Sequence, residues 1–150
     1  MDKKALLEFL ERGARYFPEK SSPIMKCSKG TTTCSLKLAA EVLECSEVWN
    51  YADSDMYDDV GSRVARVNRS EFEKFLDEAL QQDRATKTFR ASVREEYGTR
   101  TPETRQTWDS KDTGFLDSEC KFNLEKVTAS HYRVSVSFRN CGMQFEFQEK

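Results

Sequence analysis

The chain has 150 residues, a net charge of −2, 37% hydrophobic and 33% charged side chains. A chain of this length buries roughly 68–70% of the surface its unfolded form exposes, so a single domain over 1–150 needs neither disulfide nor metal for stability. The slight acid surplus excludes general affinity for nucleic acid or anionic membranes, and no stretch approaches the roughly 18 apolar residues of a membrane span.

In chain order, Asp2 is a good N-cap ahead of Leu6, Leu7, Leu10, Ala14 and Phe17 at helical spacing. The spacing predicts a first helix to about Tyr16, stopped by Pro18. Residues 19–23 read as a turn. Leu38, Ala39, Val42 and Leu43 fall on one stripe and predict a second helix over 35–43, with Trp49 and Tyr51 anchoring its exit. Residues 62–67 read as a short strand. Ser70 and Glu73 form a capping box before Phe72, Phe75, Leu76, Ala79 and Leu80, which predicts a helix over 71–82.

From Thr88 to Tyr97 the chain alternates, Phe89, Ala91 and Val93 against Arg90, Ser92, Arg94 and Glu96, the period of a half-buried strand. Residues 98–118 form a long polar excursion. Alternation returns at Phe122 and Leu124, at Tyr132, Val134, Val136 and Phe138, and at Met143, Phe145 and Phe147. A two-residue turn at Cys141-Gly142, or a four-residue loop closed by Arg139 and Gln144, would set Phe138 opposite Phe145 and Val136 opposite Phe147. These elements predict an α+β fold: N-terminal helices packed on one face of a C-terminal antiparallel meander of about four to five strands.

The five cysteines, Cys27, Cys34, Cys45, Cys120 and Cys141, are odd in number and lack Cys-x-x-Cys spacing. That favours reduced thiols in a cytosol-like compartment. The N-terminus is interrupted by Asp2, Lys3 and Lys4 where a signal peptide would be apolar, so a cytoplasmic location is expected. His131 is the only histidine, and ten residues of strand separate it from Cys141, about 33 Å along a strand. It reads as a surface histidine where a strand begins. Residues 28–33 resemble a phosphate-binding loop in composition alone, because the Gly-Lys-Ser/Thr ending is absent.

Residues 38–62 carry seven acids and no base, whereas residues 1–30 carry seven Lys/Arg against four acids. Asp53, Asp55, Asp58 and Asp59 form the densest acidic run. As a metal site it departs from the EF-hand loop, with Tyr57 in place of the third ligand; it reads first as a solvated acidic loop and next as a docking patch for a basic partner. Trp108 reads first as a core residue and otherwise as an interface anchor.

The polar face of the strands, read first as a solvated outer face, is the other candidate. Arg94, Arg133 and Arg139 interleaved with Glu96, Glu125 and Glu146 could bind a polyphosphate, with the carboxylates holding Mg or Mn. The arrangement loosely resembles the charged interior of triphosphate tunnel metalloenzymes. It lacks that family's paired glutamates on an early strand, where Arg63-Val64-Ala65-Arg66 stands, and a helical first half leaves too few strands to close a tunnel.

With no intact catalytic motif and no cofactor fingerprint, the chain is read first as a small protein-binding inhibitor or adaptor of the immunity or anti-defence kind. It would act through Asp53, Asp55, Asp58, Asp59 and Trp108 without a cofactor. The alternatives are the metal-dependent phosphohydrolase on the sheet face and a nucleic-acid or virion-associated structural module.

Overall fold

The structure is a computed structural model that describes residues 2–13, 15–18, 30–52, 58–100, 107–108, 114–139 and 141–149. Helix α1, Lys3–Arg12, begins as Asp2 accepts the Ala5 N–H at 2.8 Å. It stops at Gly13, whose φ of 95° ends the helix where a side chain would be strained. The helix therefore falls short of Tyr16, and strand β1, Arg15–Pro18, takes over.

Strands β2, Gly30–Leu38, and β3, Val42–Ala52, occupy the region expected to hold the second helix. The apolar stripe Leu38, Ala39, Val42, Leu43 is in fact the two flanks of a tight hairpin, closed by the Ala39 N–H donating to the Val42 carbonyl at 2.9 Å. β4, Asp58–Asn68, runs directly into α2, Arg69–Ala79. Its cap is Asn68, which accepts the Glu71 N–H at 3.0 Å; Ser70 is inside the helix instead of capping it. β5, Arg84–Arg100, is the longest strand, followed by β6, Thr107–Trp108, β7, Leu116–Thr128, β8, His131–Phe138, and β9, Cys141–Gln148.

All nine strands join one antiparallel sheet in the order β1-β9-β8-β7-β5-β4-β3-β2, with β6 paired to β5. Seven long strands curl into a nearly closed barrel accompanied by two short helices. This overturns the expected α+β layering of helices on a four- to five-stranded sheet. Strands from opposite ends of the order meet inside, where Cys45 Sγ on β3 lies 3.0 Å from Met143 Sδ on β9. The hairpin register also differs from expectation: Phe138 pairs with Cys141 and Val136 with Met143. The strands therefore turn after Phe138, and Arg139 adopts φ 55°. Both registers keep the same residues inside, so alternation could not choose between them.

Inward positions alternate along every long strand, as barrel geometry requires. One end of the interior is apolar and covered by the helices. Leu6 and Leu10 of α1 are buried there, and Phe72 of α2 packs on Phe89 at 6.2 Å and Phe122 at 5.4 Å between ring centroids. Continuing the same inward phase toward the other end replaces these rings with ionic groups.

Candidate functional site

Four strands place Cys34, Glu47, Arg63 and Glu95 side by side as successive cross-strand partners, all facing inward. They form one layer across the polar end of the barrel. Glu47 is 3% exposed and Arg63 is 8% exposed, the two buried charged residues among those described. Removing charges from water is costly unless they are paired, so each contact in this layer matters.

Arg63 lies between two aromatic rings, its guanidinium carbon 4.9 Å from the Trp49 centroid and 5.5 Å from that of Tyr97. Such stacking offsets part of the lost hydration. Gly61 makes the stack possible: a Cβ there would lie 2.2 Å from Trp49 Cζ2. Arg63 Nε donates to Tyr97 Oη at 3.2 Å, and Tyr97 Oη in turn donates to Glu95 Oε2 at 2.5 Å. Burial, reinforced by the Glu95 hydrogen bond, raises the Tyr97 pKa and keeps the phenol protonated as that donor.

The far side of the guanidinium is less well served. Arg63 Nη1 is buried without a hydrogen bond, and its nearest carboxylate oxygen, Glu47 Oε2, is 3.7 Å away. That oxygen already accepts the Cys141 thiol from β9. Burial, and then the Glu47 hydrogen bond, push the Cys141 pKa upward, so the thiol keeps the proton it donates. Arg139, in the β8–β9 turn, completes the layer with Nε 3.5 Å from Glu95 Oε1. The layer thus holds two guanidiniums, two carboxylates and one donor that reaches no acceptor.

Of the six residues predicted to form a phosphohydrolase face, Glu125, Arg133 and Glu146 come together, while Arg94, Glu96 and Arg139 lie apart from them. Glu125, Arg133 and Glu146 lie on the outside of the barrel as direct cross-strand partners, in a row that begins with Arg84 on β5. Arg133 Nε is 2.8 Å from Glu146 Oε1 and Arg84 Nη2 is 3.4 Å from Glu125 Oε1. Arg94 and Glu96 pair with each other elsewhere on the outer surface. Opposite charges facing one another across strands fix register; that accounts for this row. Only Arg139 of the six turns toward the interior.

His131 is half-buried and bonds Glu146 on the same outer face, away from every described cysteine thiol. Cys34, Cys45, Cys120 and Cys141 are buried, and burial alone pushes Cys120 up to about 12. Glu47, counted in the acidic 38–62 segment, is inside the barrel. Asp53 and Asp55 fall outside the described residues. Asp58 and Asp59 open β4, paired with Ala52 and Tyr51, and Trp108 is paired with Thr99 through β6, the side chains of these three lying outside the description. Among the described residues, no group of three or more His, Cys, Asp or Glu could hold a metal ion, and no helix is long and apolar enough to cross a membrane.

No protein-family model matches this chain, and no curated protein or solved structure matches it. Sequence reasoning missed Glu47, Arg63, Glu95 and Tyr97 as a site. The signal was the two-residue phase of Leu43, Cys45, Glu47 and Trp49, which carries a carboxylate into the same row as core residues.

Proposed function

We propose that this protein binds a small phosphate-bearing anion at the polar end of its barrel, with Arg63 as the anchor. The observation that carries the reading is the buried Arg63 Nη1 with no hydrogen bond. A buried donor left unmade costs about 1–3 kcal/mol, and a phosphate oxygen supplies the acceptor it lacks. Tyr97, Trp49 and Glu95 hold the guanidinium plane; Glu47 and Cys141 bound its unbonded edge. The reading is one of binding, centred inside the barrel instead of on the outer face.

Isothermal titration with sodium tripolyphosphate, with and without magnesium or manganese, tests it. The wild type is expected to saturate. Arg63→Lys keeps a charge but loses the planar fork, so affinity should fall by roughly 2 kcal/mol, about thirtyfold. Glu146→Gln, on the outer face, should leave affinity unchanged. No saturable binding by the wild type, or equal binding by Arg63→Lys, would contradict the reading.

A second reading keeps the inhibitor or adaptor expectation. It is favoured by the Ala52–Asp58 pairing, which brackets the acidic run between two paired strands of one hairpin. A basic protein partner should then bind more weakly at high salt and after Asp53, Asp55, Asp58 and Asp59 are all changed to Asn. Unchanged affinity after all four substitutions counts against it.

A further inference from the structure

The rim of the barrel at its polar end is uneven. On one side β3, β4 and β5 continue in register to Ala52, Asp58 and Arg100, past the ionic layer. On the other, β8 and β9 end at the paired Phe138 and Cys141, while β7 runs on from Lys121 back to Leu116 without pairing to β8. Among the described residues, the β8–β9 hairpin is therefore the low side of the rim. Two side chains cross from it to the high side: Cys141 reaches Glu47, deep in the layer, and Arg139 reaches Glu95, nearer solvent. The Arg139 side chain is 43% exposed, whereas Cys141 is 4% exposed. Arg139 also holds φ 55°, the left-handed region that L residues other than Asn and Asp seldom adopt.

We infer that Arg139 is the gate of the polar end: its ion pair with Glu95 closes the low side of the rim, and its release opens a path to Cys141 and the Arg63 edge. An ion pair of this exposure is weak enough to break often, which suits a gate better than a structural strut. The identity of what passes rests on the anion-binding reading; the opening itself does not.

Cys141 reports the gate without any ligand. Iodoacetamide is neutral and small, and mass spectrometry of peptides resolves the alkylation rate of each cysteine. Arg139→Gln should speed alkylation of Cys141 by about fivefold, the upper range such a pair can supply. Arg139→Lys, which keeps the charge, should stay near the wild-type rate. Cys45 and Cys120, lower in the barrel, should keep their wild-type rates in all variants. An unchanged Cys141 rate in Arg139→Gln, or a parallel rise at Cys45 and Cys120 that signals general loosening, would overturn the gate. Sodium tripolyphosphate added to the same assay should slow Cys141 alkylation. Faster labelling in Arg139→Gln without tripolyphosphate protection upholds the gate and counts against the anion site alone.

Discussion

Arg63 concentrates the physical tension of this molecule at one position. Its charge is buried, its Nε is satisfied by Tyr97 and its face is covered by two rings, yet its neighbours Glu47 and Glu95 depend on it for their own compensation. Arg63→Met should destabilise the fold by roughly 3 kcal/mol, because removing one partner strands the buried Glu47 carboxylate. Urea denaturation measures this, and a change within about 0.5 kcal/mol, the range of ordinary surface substitutions, would show that the layer is solvated. Gly61→Ala acts on the same stack from outside the charge. Its Cβ would meet the indole at 2.2 and 2.6 Å and the Glu96 carbonyl at 2.8 Å, so Trp49 must move. A cost of about 2 kcal/mol is expected, with a red shift of tryptophan emission as the ring leaves its buried site.

Among the elements, the outer row across β5, β7, β8 and β9 makes its own demand on pH. Burial raises the Glu146 carboxyl, but hydrogen bonds from Arg133 and His131 outweigh it and hold the group below the usual carboxylate range. A depressed carboxyl contributes stability above its unfolded pKa of about 4.3, and that contribution is lost as pH falls through the folded value. Melting temperature should therefore drop on acidification below about pH 4.3, and Glu146→Gln should flatten that part of the curve. An unaltered acid limb would show that the row contributes nothing. Helix α2 matters through its rings: Phe72→Ala should cost about 3–5 kcal/mol in urea denaturation, since Phe89 and Phe122 both lose a partner.

The same elements show what the sequence carries legibly. Strands β5, β7, β8 and β9 put Phe, Val, Leu, Tyr and Met inside, so their alternation is visible as greasy against polar. β2 and β3 put Cys34, Cys45 and Glu47 inside, and β4 puts Arg63 there. An inward ion erases the contrast on which period-two reading depends, and the hairpin at 39–41 then imitates a helical stripe. The candidate site was hidden for the same reason: its residues are the ones that broke the pattern. The outer charges stood out because they alternate cleanly, and Glu125, Arg133 and Glu146 among them are cross-strand partners.

For the whole molecule, the barrel divides its interior into a dry half under the helices and an ionic half under the rim. The closure that makes the second half possible is distant in sequence, with β3 reaching β9 through Cys45 to Met143 and Glu47 to Cys141. Arginine-selective nitrogen NMR measures the result directly. One Nε–H signal, displaced by the Trp49 and Tyr97 ring currents, should be slow to exchange with water, vanish in Arg63→Lys and shift again when sodium tripolyphosphate is added. If every arginine Nε–H exchanges rapidly at unperturbed positions, and none responds to tripolyphosphate, the ionic layer is open to water and the account of this site is wrong.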